Sequence, residues 1–208
     1  MDRLPPVSSL ARARPAAAMA LVWLAAWAPA CEDEGSVPSV PGRVVAVAAG
    51  KQQGPDLATF CDVRADPPAA KVLTLPPLDQ SPRPQGAFWR WVNVWATWCR
   101  PCVEEMPMIV DFRARLVTSG SEVELLFVTV DESAEDVARF RREHPSTPES
   151  LRVTDRDALE PWIVGLGLDA GAPLPFHLFA DPDGRLRCGR SGALGQSDFD
   201  EVAGILAL

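Results

Sequence analysis

The sequence predicts an α/β fold in which a central mixed sheet is flanked by helices. From residue 86 onward, strand and helix patterns alternate in the order β-α-β-α-(β)-α-β-β-α. Neighbouring parallel strands need helical crossovers, whereas the last two strands, separated only by a turn at residues 181–184, must pair antiparallel. With 208 residues, 47% of them hydrophobic, the chain has room for one globular domain and extensions.

The core strands and the first long helix can be placed directly from their side-chain patterns. Residues 88–95 and 122–130 are rich in aromatic and β-branched side chains, which is typical of buried strands. Residues 100–117 carry apolar side chains at helical spacing, and residues 133–136 have the form of a capping box that opens another helix. The later predicted elements are a strand at 151–154, a helix at 158–166, strands at 176–180 and 185–190, and a closing helix at 198–208.

The segment ahead of this alternation is rich in proline. Residues 60–85 hold two Pro-Pro pairs and two further prolines around a short apolar stretch at residues 71–75. Proline lacks the N–H that a helix or a central strand needs. We therefore expect one short edge strand at residues 71–75 and no helix in this segment.

The first thirty residues have the pattern of a secretory signal peptide. Three arginines precede an apolar run at residues 16–28, and small residues follow at 28–30. An apolar run of this length falls short of the roughly 20 residues that cross a bilayer. The expected organisation is a signal peptide at residues 1–30, a flexible spacer at residues 31–56 and a folded α/β domain at residues 57–208.

Cys31 directly follows the expected cleavage point. Cleavage after Ala30 would make Cys31 the first residue, which resembles the lipobox of bacterial lipoproteins. Residues 28–30 also satisfy the rule for ordinary signal cleavage, so a soluble secreted form and an uncleaved anchor stay open. We expect an exported protein on the periplasmic side of a bacterial membrane, attached only through a lipid at Cys31.

The charge balance bears on possible partners. Acidic residues outnumber basic ones 28 to 20, and without residues 1–30 the difference is 17 minus 27, or −10. An anionic surface repels phosphate backbones and anionic lipid. We therefore expect no nucleic-acid partner and no direct lipid binding by the folded part.

Two cysteines at the end of the first buried strand carry the candidate chemistry. Cys99 and Cys102 open the predicted helix, with Arg100 and Pro101 between them. The unpaired N–H groups and the dipole at a helix N-terminus favour a thiolate, and should lower the pKa of Cys99 below its free value of about 8.5. Arg100 should add to this effect modestly, since it is expected to be exposed. The pattern indicates a nucleophile, Cys99, and a resolving thiol, Cys102.

The same cysteines suggest a second function, metal binding. A structural zinc site needs four ligands, and the sequence has no second C-x-x-C and only two histidines. The alternative that remains is a carrier of copper or zinc, in which Cys99, Cys102 and His177 hold a soft metal. Otherwise His177 is expected to be a hydrogen-bonded strand histidine.

Three segments together resemble a known family. Residues 93–107 (NVWATWCRPCVEEMP), residues 128–131 (VTVD) and residues 175–184 (PFHLFADPDG) resemble the motifs of TlpA/ResA-like thioredoxin-family disulfide reductases. The resemblance implies a thioredoxin fold, no cofactor, and reduction of disulfides in selected exported proteins, frequently in cytochrome c or copper-site maturation. It also implies an upstream membrane thiol donor.

The resemblance assigns roles to individual residues. Pro175 takes the place of the family's cis-proline, whose loop faces the two sulfurs. Glu105 takes the place of the active-site glutamate and would accept the proton of Cys102, although helical spacing alone also allows a solvated residue. Asn93 stands where ordinary thioredoxins carry a buried Asp, which leaves Glu105 as the acid-base group. Trp95 and Trp98 flank the site and either cover it or belong to the core.

The remaining cysteines predict a structural disulfide. Of five cysteines, Cys31 and the pair at 99 and 102 leave Cys61 and Cys188. Leftover thiols in an exported protein usually pair, although each could be a small buried apolar residue. A bond between them would tie the proline-rich segment to the sheet.

Lipidation of Cys31 can be tested directly. Cells fed labelled fatty acid should label this protein, and Cys31→Ser should abolish the label, because only a thiol at the new N-terminus accepts the lipid. Absence of label on a chain that is still cleaved after Ala30 would rule out the lipoprotein and favour the soluble secreted form.

Overall fold

The computed structural model describes residues 54–208, which form a six-stranded mixed sheet with helices packed against it. The expected signal peptide, Cys31 and the spacer up to residue 53 lie outside the described residues. No helix between residues 54 and 208 is long and apolar enough to cross a membrane.

The sheet contains both parallel and antiparallel pairs. Its strands are β1 (Val63–Arg64), β2 (Trp89–Trp95), β3 (Val123–Thr129), β4 (Ser150–Arg152), β5 (Phe176–Ala180) and β6 (Leu186–Ser191). Their spatial order is β1-β6-β5-β2-β3-β4. The pairs β2–β3 and β3–β4 are parallel, whereas β2–β5, β5–β6 and β1–β6 are antiparallel. This arrangement confirms the predicted thioredoxin fold.

Within residues 54–208, five helices connect or flank these strands. They are α1 (Leu57–Phe60), α2 (Arg100–Thr118), α3 (Ala134–Glu143), α4 (Leu159–Leu166) and α5 (Phe199–Ile205), the last preceded by a 3₁₀ turn at Gln196–Asp198. The hydroxyl of Ser133 accepts the N–H of Asp136, so the predicted cap of α3 is formed. The closing helix was predicted at residues 198–208. In the structure residue 198 belongs to the 3₁₀ turn, and the α-helix ends at Ile205.

The central position of β2 follows from its composition. All seven residues of β2 are buried, and β3 and β5 pair with its two edges. The antiparallel register pairs Asn93 with His177. Side chains directly opposite in such a pair point to the same face of the sheet, so a polar pair lies at the centre of a largely apolar core.

The hairpin β5–β6 is closed by the predicted turn. The carboxylate of Asp181 accepts the N–H groups of Asp183 and Arg185, at 3.1 and 2.9 Å. Gly184 has a φ of 76°, a conformation that glycine adopts without steric cost. Sequence alone was sufficient here because local side-chain chemistry fixes the turn.

The predicted edge strand at residues 71–75 is wrong. Val72 forms only an isolated bridge with Arg185. The strand at the edge next to β6 is β1, which pairs with Gly189 and Cys188. Prolines follow at residues 76 and 77 and end any continuation of the apolar stretch. Residues 63–64 instead lie directly after Cys61, which is bonded to β6.

A disulfide and an arginine join the proline-rich segment to the sheet. Cys61 and Cys188 are bonded, with an S–S distance of 2.04 Å and a Cα–Cα distance of 5.5 Å. The guanidinium of Arg187 donates to the carbonyl of Ala65 at 2.9 Å and to the carboxylate of Asp66 at 3.1 Å. Both anchors come from β6, so this strand holds the segment in place.

Removal of the Cys61–Cys188 bond should destabilise the domain more than removal of the Cys99–Cys102 bond. The first closes a separation of 127 residues and the second a separation of 3. The chain-entropy model then gives losses of at most about 5 and about 2 kcal/mol for the two double Cys→Ala variants. Urea denaturation of both variants measures this. Peptide mapping of the non-reduced protein should recover a linked Cys61–Cys188 peptide. Equal losses of unfolding free energy in the two variants, together with free thiols at Cys61 and Cys188 in the wild type, would contradict a stabilising disulfide.

Candidate functional site

The cysteine pair lies where β2 ends and α2 begins. Cys99 is the N-cap of α2, and its carbonyl accepts the N–H of Val103 at 3.2 Å. Cys102 lies in the first helical turn and is bonded to Cys99, with an S–S distance of 2.00 Å. Pro101 occupies an early helical position, where its missing N–H leaves no intrahelical bond unmade. The structure is therefore the oxidised form of a dithiol.

The two cysteine residues differ in exposure. Cys99 is 6% exposed, whereas Cys102 is completely buried. An incoming disulfide can therefore approach Cys99 and not Cys102. This asymmetry fits the assignment of Cys99 as nucleophile and Cys102 as resolving thiol.

A buried carboxylate fixes the loop between β2 and α2. Asp131, at the end of β3, accepts the backbone N–H of Thr97 at 2.9 Å and its hydroxyl at 2.7 Å. The hydroxyl of Thr129 also donates to Asp131. Because Thr97 stands two residues before Cys99, the Asp131 side chain holds the backbone that leads into Cys99. The sequence analysis identified Asp131 only as the last residue of the motif at residues 128–131.

Pro175 has a cis peptide bond and lies at the same end of the sheet. The Leu174–Pro175 bond is cis, and β5 begins at the next residue. Phe176 pairs with Val94 near the end of β2. The proline therefore stands at the end of the sheet from which the chain leads into Cys99.

Glu105 is buried one turn beyond the cysteine pair. It is 4% exposed, and three parts of the fold supply N–H groups around its carboxylate. Asn93 Nδ2 donates to Oε1 at 2.9 Å, and the backbone N–H of Leu194 donates to Oε2 at 2.8 Å. His177 Nε2 lies 3.3 Å from Oε1. The two carboxylate oxygens therefore each accept one hydrogen bond, and a third N–H-bearing group lies close by.

The neighbouring charges of α2 lie on its solvent side. Arg100 and Glu104 form an ion pair of 2.6 Å, with side chains 85% and 60% exposed. The hydrogen bond to Glu104 raises the pKa of Arg100 above its usual value. Pairing with Glu104 and exposure both weaken the field of Arg100 at Cys99, so its influence on the thiolate is small.

The two tryptophans occupy different environments. Trp98 is 67% exposed beside Cys99, whereas Trp95 is completely buried and its indole N–H donates to the hydroxyl of Ser150 at 3.0 Å. Trp95 is therefore a core residue, which is one of the two roles that the sequence allowed for it. Alternation along β2 could not distinguish these roles because both faces of the strand are buried.

His177 is the main site residue whose position the sequence did not reveal. It is completely buried, and Nδ1 accepts the indole N–H of Trp91 at 3.2 Å. Its proximity to Glu105 depends on the β2–β5 register, which no local pattern specifies. Among residues 54–208, no group of three or more His, Cys, Asp or Glu side chains could hold a metal. The imidazole faces Glu105 through Nε2, which is not the arrangement expected for a third ligand beside the cysteines.

Comparisons with known proteins agree with the sequence motifs. No protein-family model matches the chain. It is 28% identical over 115 residues to the thiol-disulfide oxidoreductase ResA of Bacillus subtilis, covering 55% of this chain and 59% of the relative. It is 30% identical over 115 residues to ResA of Oceanobacillus iheyensis, covering 55% and 54%. The chain is TlpA/ResA-like and has a thioredoxin fold.

Solved structures of similar architecture also exist. A thioredoxin-related protein from Neisseria meningitidis serogroup B has a TM-score of 0.49 and 23% identity, covering 62% of this chain and 94% of that one. StoA from Bacillus subtilis has a TM-score of 0.43 and 16% identity, covering 57% and 84%. The TlpA/ResA-like chain spans somewhat over half the length of its curated ResA relatives.

The role of Asp131 gives a prediction about the active-site loop. Asp131→Ala leaves the N–H of Thr97 and the hydroxyl of Thr129 without their acceptor, and should lower the free energy of unfolding by about 1–3 kcal/mol. Hydrogen exchange at the Thr97 amide should also become faster. Asp111→Ala is the control, since that exposed carboxylate makes only a 3.9 Å pair with Arg115 and should matter by less than about 0.5 kcal/mol. Unchanged exchange at Thr97 in Asp131→Ala would contradict the anchoring role.

Proposed function

We propose that this chain is an extracytoplasmic thiol–disulfide oxidoreductase that mainly reduces disulfides of selected exported proteins. The observation that carries the proposal is the Cys99–Cys102 disulfide at the start of α2, with a buried carboxylate one turn beyond it. The ResA relatives are named thiol-disulfide oxidoreductases, which supports the same class of reaction here.

In the first step, the reduced protein attacks its substrate. The Cys99 thiolate attacks one sulfur of the substrate disulfide, forms a mixed disulfide and breaks the substrate S–S bond. The released substrate thiolate takes a proton from solvent. The N-terminus of α2 favours the thiolate form of Cys99, and the slight exposure of its side chain allows the encounter.

In the second step, Cys102 resolves the mixed disulfide. Its thiol gives a proton to the Glu105 carboxylate, and its sulfur attacks Cys99, forming Cys99–Cys102 and releasing the second substrate thiolate. The proton then passes from Glu105 to that thiolate or to solvent. Over the cycle, the substrate disulfide gains two electrons and two protons, and the dithiol becomes a disulfide.

The substrate should bind around the exposed part of this site. Trp98 presents an exposed aromatic surface beside Cys99, and the loop at Pro175 lies at the same end of the sheet. We assign this surface to an extended cysteine-containing segment of an exported protein. Proteins whose cysteines must be reduced before a haem or copper site is assembled are the proposed substrates.

The cycle also needs a source of electrons and a location. Because each turnover oxidises the dithiol, a second dithiol must reduce it, and we assign this role to an upstream membrane thiol donor. The expected signal peptide and the lipid at Cys31 would hold the domain at the periplasmic side of a bacterial membrane. An anionic folded part fits attachment through the lipid alone.

Variants of the two cysteines test the proposed reaction. Cys102→Ser should accumulate a mixed disulfide through Cys99, because the resolving thiol is missing, and mass spectrometry of the trapped species identifies the substrate. Cys99→Ser is the control and should trap nothing. The reduced wild type should reduce insulin or a cystine peptide and carry no stoichiometric copper or zinc. Stoichiometric metal without disulfide reduction would instead support the metal carrier.

A further inference from the structure

One buried histidine is not used by the reaction proposed above. His177 lies on β5, opposite Asn93 of β2, and both side chains face Glu105 of α2. His177 is completely buried and Glu105 is 4% exposed. An imidazole beside a buried carboxylate next to a redox pair calls for a physical explanation, since either group can carry a proton.

Trp91 fixes the protonation state of this imidazole. The indole N–H of Trp91 can only donate, and it points at Nδ1 of His177 over 3.2 Å. Nδ1 must therefore be unprotonated, because a proton there would face another donor. The ring is then neutral and carries its proton on Nε2, the nitrogen that lies 3.3 Å from Glu105 Oε1.

The Nε2–H group has no well-aligned acceptor in the oxidised form. Within residues 54–208 it forms no hydrogen bond that meets normal angular limits, although Oε1 is close. A buried donor without a partner costs free energy, and a small movement of the Glu105 carboxylate would remove that cost. The geometry therefore favours a carboxylate that is charged and turned toward His177.

We propose that His177 is a positioning residue that holds Glu105 ionised and oriented to take the proton of Cys102. This inference rests on the proposed disulfide exchange. His177 keeps its own proton on Nε2 throughout and donates a hydrogen bond to Glu105. The transferred proton moves from Cys102 Sγ to the Glu105 carboxylate, and no proton is added to Nδ1.

The other groups around this pair do not replace His177. From β2, Glu105 receives the amide of Asn93, and from the segment after β6 it receives the backbone N–H of Leu194. Cys102 is the titratable neighbour on α2 itself. From β6, Arg190 stands opposite His177, but its guanidinium donates to the carbonyl of Phe60 at 2.9 Å. The only side chain of ion-pairing type within 4.0 Å of Glu105, among the residues described, is His177.

The tautomer can be observed in the wild-type chain without a histidine tag. The sequence contains two histidines, and His144 is exposed, so it serves as an internal control. In ¹⁵N-edited NMR spectra from about pH 5 to 8, His177 should keep its proton on Nε2 and none on Nδ1, while the exposed His144 supplies the reference signals. A proton on Nδ1 of His177, or an imidazolium in this range, would overturn the proposal even if no variant folds.

Kinetics of resolution test the effect on Glu105. A labelled peptide joined to Cys99 is released when Cys102 attacks, and stopped-flow fluorescence measures its rate against pH. In His177→Phe the Glu105 carboxylate loses a hydrogen-bond donor. The midpoint of the curve of release rate against pH should therefore rise by about one pH unit, and release should be about tenfold slower on the acidic side of that midpoint. The plateau at high pH should be retained.

Three further variants separate positioning from packing. His177→Gln keeps an N–H near the same place and should show a smaller shift than His177→Phe. Trp91→Phe frees Nδ1 to take a proton, which favours the Glu105 carboxylate further, so the midpoint should move to lower pH. His144→Gln should match the wild type. Identical midpoints in all variants would refute the role of His177 while leaving disulfide exchange intact, whereas a wild type that never releases the peptide would refute the proposed function.

Discussion

The burial of the Glu105 carboxylate is the constraint on which the arrangement of this site depends. A charged group removed from water must be matched by hydrogen-bond donors, or it will not stay charged. Here the donors come from β2, from the segment after β6 and, by proximity, from β5. These parts must therefore keep their relative positions if the buried carboxylate is to remain charged one turn beyond the cysteines.

Two further features of the fold position Cys99 relative to that carboxylate. Asp131 at the end of β3 holds Thr97, and the end of β2 carries the chain into α2. Because β2 and β3 are parallel, both end at the same edge of the sheet, and Cys99 follows at the start of the helix. The unpaired N–H groups at the N-terminus of α2 then lie next to Cys99.

Local patterns predicted most of the fold and the reactive pair, and long-range register explains what they missed. The strand and helix patterns meet at the C-x-x-C motif, so Cys99 and Cys102 could be placed at a helix start. The turn at residues 181–184 could be predicted because its own side chains form it. The edge strand was misplaced because pairing of β1 depends on β6, more than 120 residues away in the chain. The sequence allowed His177 to be a hydrogen-bonded strand histidine or a third metal ligand. Its contact with Glu105 was not predicted, because that contact depends on the β2–β5 register. The role of Trp95 stayed open between core and cover because a strand whose residues are all buried shows no alternation.

The central claim is that Glu105, as a buried carboxylate, removes the proton of Cys102. Glu105→Gln keeps the shape of the side chain and removes the base, so the rate at which Cys102 resolves a preformed mixed disulfide on Cys99 is the direct measurement. The account predicts a loss of about 10²-fold or more at neutral pH, with the remaining rate rising toward alkaline pH as the thiol ionises unaided. A Glu105→Gln protein that folds normally and resolves the mixed disulfide at the wild-type rate and with the wild-type pH dependence would contradict it.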